Sequence, residues 1–300
     1  MKEDLRILDT EGINEDSANI DEVSMLEKLR IINEEDKKVA YAVEKQLDRI
    51  AEFAEHAADC LKAGGRMFYI GAGTSGRLGI LDASECPPTY GVDFEMVQGL
   101  MAGGTHAFIK AMEGSEDDPQ LGRGDLIKKE LSSKDCVLGI AASGRTPYVQ
   151  GALQYANEIG AYTGALSCCH DAVISGVAKT AIEVICGPEV ISGSTRMKAG
   201  TAQKMVLNMI STSVMVELDK VYKNYMVDVK PTNEKLAARA KRLIALACSC
   251  SEEESERLFT ESQGSVKCAI ILYEKKVSLE EAKERLLRVN GSIRKALMEL

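Results

Sequence analysis

The sequence predicts an α/β protein whose central three-layer α-β-α domain has a parallel sheet covered by helices on both faces. Three observations predict it: short apolar runs alternate with helical patterns in the middle of the chain, an amphipathic helical stretch precedes them, and short charged helical segments follow them. Parallel strands buried on both faces have this continuous apolar character. The five expected strands lie at 67–70, 94–100, 136–142, 161–167 and 181–186.

The segment before the sheet predicts helices. Ser24 and Glu27 form a capping-box pattern, which is typical of a helix start. After Glu34, apolar residues recur on one helical face until Gly64-Gly65 stops the pattern; they are Val39, Val43, Leu47, Ile50, Ala54, Ala58 and Leu61. We therefore expect residues 1–62 to form an N-terminal helical segment that packs on the main domain.

The segment after the sheet predicts a separate group of helices. Residues Met197–Leu218 carry few charges, which predicts a long helix in the core or at a homodimer interface. Pro231-Thr232-Asn233 is an expected boundary, so the central domain would span 63–232 and a C-terminal helical subdomain 233–300. The helices expected beyond it lie at 234–248, 251–262, 264–274, 278–288 and 291–299.

Composition excludes several function classes. With 300 residues, 45% of them hydrophobic, the chain can bury a large core, and its net charge of −9 disfavours nucleic acid and anionic membranes as partners. No apolar run has the length of a signal peptide or a membrane span, so a cytoplasmic location is expected. The nine cysteines form no C-x-x-C pair and the three histidines are far apart, so no metal site is expected.

Three loops rich in glycine and hydroxyl groups follow expected strands. They are Gly73-Thr74-Ser75-Gly76, Ser143-Gly144-Arg145-Thr146 and Ser192-Gly193-Ser194-Thr195-Arg196. Ligands of open parallel sheets bind beyond the carboxyl ends of the strands, where backbone N–H groups and helix N-termini attract anions. Together with the nearby cations Arg77, Arg145, Arg196 and Lys198, these loops predict a site for a phosphorylated small molecule.

Two other interpretations of these loops remain open. Gly71-x-Gly73-x-x-Gly76 with Glu95 matches the dinucleotide fingerprint, but hydroxyl groups stand where a pyrophosphate would favour bare backbone. The loops could also be ordinary turns and helix caps, which explains one loop well and their recurrence poorly.

Carboxylates near the loops are candidates for acid–base chemistry. Glu85 precedes Pro87-Pro88, which we expect to end the helix and hold Glu85 near the first loop. Glu116 lies in an acidic cluster in which Gly114 would close a helix and Ser115 would cap the next one. Each could equally be a solvated surface group.

These motifs together resemble the N-acetylmuramic acid 6-phosphate etherase family of the sugar isomerase (SIS) superfamily. The likeness extends from about Thr10-Glu11 to the C-terminal helices, and no motif position departs from the family pattern. The stretches that carry it are 71–91, 141–149, 192–208, the segment Glu113-Gly114-x-Glu116-Asp117, and 226–235 with Thr232-Asn233. The resemblance implies a SIS-type phosphosugar-binding domain at 63–232.

The resemblance also implies an activity and a set of site residues. The activity is cleavage of the D-lactyl ether of N-acetylmuramic acid 6-phosphate to N-acetylglucosamine 6-phosphate and D-lactate, in cell-wall sugar recycling, without a cofactor. Glu85 would protonate the leaving ether oxygen and Glu116 would be the second catalytic carboxylate. The residues implied to bind the phosphate are Thr74, Ser75, Gly76, Ser143, Gly144 and Thr146, and those implied to line the same cleft are Ser194, Thr195, Arg196 and Lys198.

Arg196 is the first candidate for the lactyl carboxylate, because a guanidinium can bind a carboxylate through two hydrogen bonds. Two rival functions share the scaffold. A regulatory protein that senses a sugar phosphate would need the loops but neither glutamate, and a phosphosugar isomerase would share the deprotonation at C2 but release no lactate.

Overall fold

The computed structural model describes residues 9–110, 112, 114–231 and 233–299. The chain divides into two compact units. The first comprises the residues up to Ser84 together with Phe94–Thr212, and the second comprises Glu85–Asp93 and the chain from Ser213 onward. The boundary expected at Thr232 falls on a residue outside the described part of the chain. Within that part, no helix combines the length and the apolar character needed to cross a membrane.

A parallel five-stranded sheet forms the centre of the first unit. Its strands confirm the five expected ones: β1 Met67–Gly71, β2 Val97–Met101, β3 Cys136–Ile140, β4 Tyr162–Ser167 and β5 Thr180–Glu183. The strand order is β2-β1-β3-β4-β5, with Met67 of β1 aligned with Val97 on one side and Cys136 on the other. The order reverses between β1 and β3, and such a switch point is where open α/β sheets bind ligands.

Helices connect the strands and cover the sheet, as the fold prediction required. The helices that begin in the first unit are α1 Met25–Glu44, α2 Leu47–Lys62, α3 Gly73–Tyr90, α4 Gly104–Ile109, α5 Pro119–Lys128, α6 Pro147–Ile159 and α7 Lys198–Glu217. Strands β1 and β3 are buried along their whole length. Side chains of α6, such as Tyr148 and Leu153, complete one face of this core.

The N-terminal helices follow the predicted apolar face with one exception. Ser24 caps α1 by accepting a hydrogen bond from the Glu27 backbone N–H. The chain leaves the helical path at Lys45 and Gln46 and starts again as α2, so the apolar pattern is divided between two helices. Leu47, expected on the buried face, is consequently 46% exposed at the start of α2.

Two expected helix ends are wrong. Helix α3 continues through Pro87 and Pro88 to Tyr90, and it ends where Gly91 takes a φ of +65° and donates to the Pro87 carbonyl. The prolines lie in the last turn, where the missing N–H groups remove only two hydrogen bonds.

The acidic segment after α4 also differs from its prediction. Helix α4 already ends at Ile109, so Gly114 does not close it, and the cap of α5 is Asp118 rather than Ser115. Asp118 accepts a hydrogen bond from the Gln120 backbone N–H, and Pro119 occupies the first turn, where a missing N–H has no cost. Glu113 lies outside the described residues.

The second unit is largely helical, as the sequence predicted for the C-terminal part. A short antiparallel pair, β6 Val221–Tyr222 and β7 Tyr225–Met226, precedes five helices. The helices are α8 Glu234–Cys248, α9 Glu252–Glu261, α10 Val266–Lys275, α11 Leu279–Arg288 and α12 Ile293–Met298. Serine or asparagine side chains cap all five N-termini, and α10 lies at the centre of the unit's apolar core.

Candidate functional site

The first hydroxyl loop connects β1 to α3 at the switch point. Gly73 begins the helix with a φ of +52°, a conformation that favours glycine. A Cβ on Gly76 would lie 2.5 Å from the Met101 Cβ and 2.7 Å from the Gly71 carbonyl oxygen, so this turn packs too closely for any side chain. The tight turn leaves Thr74 and Ser75 in the first turn of α3, where backbone N–H groups lack helical partners.

The second hydroxyl loop connects β3 to α6, on the other side of the switch point. Gly144 has a φ of +67°, and a Cβ there would lie 2.3 Å from the Ala172 Cβ. Thr146 occupies the N-cap position of α6, but its side chain makes no capping hydrogen bond. The Ser143 hydroxyl accepts a long hydrogen bond of 3.4 Å from the Arg145 backbone N–H. Both hydroxyl groups can therefore serve a ligand.

A cleft of about 270 Å³ in the first unit brings the two loops together. The third hydroxyl loop and two carboxylates complete its lining. The residues that line the cleft are Glu11, Ala72, Gly73, Thr74, Ser75, Glu116, Ala141, Ala142, Ser143, Thr146, Gly193 and Thr195. Six of the residues singled out from the sequence, Thr74, Ser75, Ser143, Thr146, Thr195 and Glu116, thus meet around one space.

Glu11 lines the cleft although no sequence pattern indicates it. It belongs to a short 3-10 turn, Asp9–Glu11, and one of its carboxylate oxygens would lie 3.5 Å from a Cβ on Gly193. Nothing in the local pattern marks it, because a single acidic residue near the N-terminus is usually solvated. In the sequence, Glu11 is notable only because the likeness to the family begins at about Thr10-Glu11.

Gln203 contacts the first hydroxyl loop, and no sequence pattern indicates it either. Its side chain is 1% exposed, and its amide oxygen accepts a hydrogen bond of 3.0 Å from the Ser75 hydroxyl. The amide nitrogen of Gln203 has no hydrogen-bond partner among the described residues. Since amide oxygen and nitrogen can exchange places by a rotation, Gln203 can also donate to Ser75 and leave the Ser75 proton for a ligand.

Lys198 occupies a different position from the one expected. Its side chain is 2% exposed, and its ammonium group lies 2.5 Å from a carboxylate oxygen of the equally buried Glu35. The backbone N–H groups of Lys198 and Ala199, at the start of α7, donate to the Glu189 carboxylate. Lys198 therefore completes a buried ion pair within the fold. Arg196 is exposed, and neither Arg196 nor Ser194 belongs to the cleft lining.

Glu85 lies on α3, ten residues after Ser75, at the first position of the second unit. Its side chain is exposed, whereas the next residue, Cys86, is buried. The residues that line the cleft all belong to the first unit.

A smaller cavity of about 160 Å³ adjoins the cleft. The two spaces share Ala72, Gly73 and Glu116, and the smaller one is otherwise lined by Arg77, Met101, Ala102, Ala107 and Met112. Arg77 donates from Nε to the Phe108 carbonyl and from Nη2 to the Ala107 carbonyl, both at 2.8 Å. This cation is thereby fixed against the end of α4.

Among the residues that the structure describes, no three His, Cys, Asp or Glu side chains are grouped so that they could hold a metal ion. All nine cysteines are free thiols.

Comparisons with known proteins identify relatives of this chain. A model of the glucokinase regulatory protein N-terminal SIS domain matches residues 48–157. A protein of Exiguobacterium named N-acetylmuramic acid 6-phosphate etherase is 55% identical over 290 residues, which cover 97% of this chain and 99% of the relative. A Clostridium botulinum protein of the same name is 53% identical, with 98% and 97% covered.

Solved structures support the fold. A phosphoheptose isomerase from Neisseria gonorrhoeae superposes with a TM-score of 0.50 at 18% identity, over 64% of this chain and 98% of that one. A phosphoheptose isomerase from Francisella tularensis superposes with a TM-score of 0.50 at 16% identity, over 65% and 100% of the two chains. At such identities, the likeness concerns the SIS fold alone.

Proposed function

The chain belongs to the N-acetylmuramic acid 6-phosphate etherase family, and from that premise we propose how its residues divide the work of the reaction. The protein is a carbon–oxygen lyase that cleaves the D-lactyl ether of N-acetylmuramic acid 6-phosphate in cell-wall amino sugar recycling. The products are N-acetylglucosamine 6-phosphate and D-lactate. The regulatory alternative is not favoured, because relatives that cover nearly the whole chain are named as enzymes.

The hydroxyl loops bind the 6-phosphate in this proposal. Ser75, Ser143 and Thr146 donate hydroxyl hydrogen bonds, and Thr74, Gly76 and Gly144 add hydroxyl or backbone support. The supporting observation is the convergence of loops from both sides of the switch point on one cleft. A terminal phosphate has three oxygens that accept several short hydrogen bonds, which suits such a set of donors. Thr195, from the third loop, completes the lining.

The elimination requires a base at C2 and an acid at the ether oxygen. The open-chain sugar has a C1 aldehyde, which acidifies the C2 proton. We assign Glu116 as the base that removes this proton, since it lines the cleft. The electron pair forms a C2–C3 double bond while the C3–O bond breaks, and Glu85 protonates the departing lactyl oxygen. Water then adds across the C2–C3 double bond, which gives N-acetylglucosamine 6-phosphate.

The assignment of Glu85 depends on the family motif. Glu85 follows the first hydroxyl loop on the same helix, α3, in the stretch 71–91 that carries the family likeness. Its exposed side chain is open to a ligand or to another subunit. We place the interface of a homodimer at the first turns of α1. Met25, Leu26 and Leu29 are each more than half exposed there, and an exposed apolar patch is typical of an interface. The nine free thiols suit the cytoplasm, where we place the reaction.

The experiment is a D-lactate release assay with N-acetylmuramic acid 6-phosphate. Wild-type protein should release lactate, and Glu85→Gln and Glu116→Gln should each lower kcat by about 10²- to 10⁴-fold, because each removes one proton transfer. Both variants should still bind the phosphosugar in calorimetry. Turnover at the wild-type rate in either variant would remove that residue from the mechanism. Product mass distinguishes an isomerase, which would conserve the mass of the substrate.

A further inference from the structure

The substrate of the proposed reaction carries two anions, and the hydroxyl loops account for one of them. The 6-phosphate occupies the loops, whereas the lactyl group carries a carboxylate and a methyl group on its α-carbon. A bound carboxylate in a partly enclosed site requires a cation or several hydrogen-bond donors. The described lining of the cleft contains no lysine or arginine, and its hydroxyl groups are assigned to the 6-phosphate, so a cation for the carboxylate has to come from outside that lining.

The smaller cavity lies where the lactyl group must go. Glu116 removes the proton from C2 in the proposed mechanism, and the lactyl ether is attached to the neighbouring carbon, C3. The lactyl group must therefore lie beside Glu116. The smaller cavity shares Glu116 with the cleft, as well as Ala72 and Gly73, so it opens directly from the reacting position.

Arg77 supplies the cation of this cavity. Its Nε and Nη2 groups are committed to the Phe108 and Ala107 carbonyls, and these two hydrogen bonds fix the plane of the guanidinium. Its Nη1 group has no hydrogen-bond partner among the described residues. An arginine keeps its positive charge while it donates to carbonyl groups, and a pre-oriented cation loses little conformational entropy on binding.

The other side chains of the cavity suit the lactyl methyl group. Met101, Ala102 and Ala107 are nearly fully buried, and Met112 adds a flexible thioether to the same space. Gly103 has a φ of +84°, and a Cβ there would lie 2.9 Å from the Ala107 Cβ, so the turn before α4 keeps this space small. The cavity thus combines an apolar wall with one cation.

We propose that Arg77 binds the carboxylate of the D-lactyl group and that the apolar wall of the smaller cavity holds its methyl group. This assignment rests on the proposed function, and it replaces Arg196, which lines neither cavity. Lys198 is already engaged by Glu35. Arg77 selects the substrate over the sugar product, because the product no longer carries the lactyl group.

The test compares two ligands in a protein that cannot turn them over. In a Glu116→Gln background, calorimetry measures the Kd of N-acetylmuramic acid 6-phosphate and of N-acetylglucosamine 6-phosphate. Adding Arg77→Gln should weaken binding of the first ligand by roughly 10- to 100-fold, the range for a hydrogen bond to a charged group, and change that of the second by less than about threefold. Arg77→Lys should recover part of the loss, because it restores the charge.

The controls separate this role from a structural one. Arg49→Gln removes the same charge at an exposed position of α2 and should change neither Kd. Equal weakening of both ligands by Arg77→Gln would show that Arg77 only holds α4, or that the cavity takes the acetamido group that both ligands carry, and either result overturns the proposal. A selective loss that follows Arg196→Gln instead would also overturn it. Failure of the wild-type protein to release lactate would contradict the proposed function itself.

Discussion

Glu35 and Asp82 are two carboxylates buried in the first unit, and their hydrogen-bond partners differ in charge. Glu35, on α1, contacts the ammonium groups of Lys198 and Lys38 and the amide of Asn14. Asp82, on α3, accepts hydrogen bonds at 2.6 and 3.1 Å from Asn208 and Ser211, which are neutral. Each carboxylate connects α7 to another helix. Glu35 joins α1 to the first residue of α7, and Asp82 joins α3 to the middle of α7.

The difference in partners reverses the direction of the pKa shift. Burial alone would raise the Glu35 pKa, but hydrogen bonds from Lys198, Lys38 and Asn14 outweigh it and lower the pKa to about 2. Burial raises the pKa of Asp82, and hydrogen bonds from Asn208, Tyr69 and Ser211 offset only part of that rise. Burial alone therefore does not decide the direction of the pKa shift of a carboxyl group; the charge of its hydrogen-bond partners does.

The largest effect should come from breaking the ion pair on its cationic side. Lys198→Met leaves Glu35 buried with only the half-exposed Lys38 as a cation, and removal of one partner of a buried pair typically costs about 3–5 kcal/mol. Urea unfolding should show a loss of this size. Lys38→Met, the matched control at the exposed end, should cost about 1 kcal/mol or less.

A second variant keeps the Lys198 test informative. The double variant Glu35→Leu/Lys198→Met should recover much of the lost stability, since well-packed apolar groups can replace a buried pair. A cost below about 1 kcal/mol for Lys198→Met alone would show that the pair is hydrated and that the contrast with Asp82 is not one of buried charge.

A fall in pH should remove the contribution of Glu35 and its ion pairs to the free energy of unfolding. The folded-state pKa of Glu35 is about 2 and the ordinary value is 4.5, so its contribution to the free energy of unfolding is present above pH 4.5 and is lost as the pH falls toward 2. The shift corresponds to about 3 kcal/mol. The stability difference between wild type and Glu35→Gln, followed by urea unfolding from pH 7 to pH 3, should shrink in that window. A stability difference that stays constant from pH 7 to pH 3 would contradict a Glu35 pKa of about 2.

The fold and part of the cleft could be predicted because they depend on local pattern. Short apolar runs between helical patterns identify all five strands, and the carboxyl ends of parallel strands share one edge. For this reason Ser75, Ser143 and Thr146 could be expected to meet although they are far apart in sequence. The capping box of Ser24 and Glu27 at the start of α1 could be recognised for the same local reason.

The remaining features depend on contacts between distant positions. Lys198 follows a hydroxyl loop and looks like a ligand-binding cation, but its partner Glu35 lies 163 positions away and is an ordinary acidic residue of an amphipathic helix. Gln203 and Glu11 carry no local signal either. Helix α3 continues through Pro87 and Pro88 because they fall in its last turn. The position of that turn depends on Gly91, which ends the helix.

The smallest expected effect comes from Asp82→Asn, which tests the buried carboxylate whose hydrogen-bond partners Asn208 and Ser211 are neutral. Asparagine keeps an oxygen that can accept from Asn208 and Ser211, so the free energy of unfolding should change by roughly 1 kcal/mol or less. The sign should depend on pH: a raised folded-state pKa favours wild type at low pH, and this advantage is lost as the pH rises. Urea unfolding between pH 3 and pH 7 should therefore show wild type losing stability relative to Asp82→Asn as the pH rises from the ordinary pKa of 3.8 through the raised folded-state pKa, and no further change above it. The opposite trend would mean that the charge of Lys204, which lowers the Asp82 pKa, outweighs burial, so that a cation would set the direction of the pKa shift in both regions.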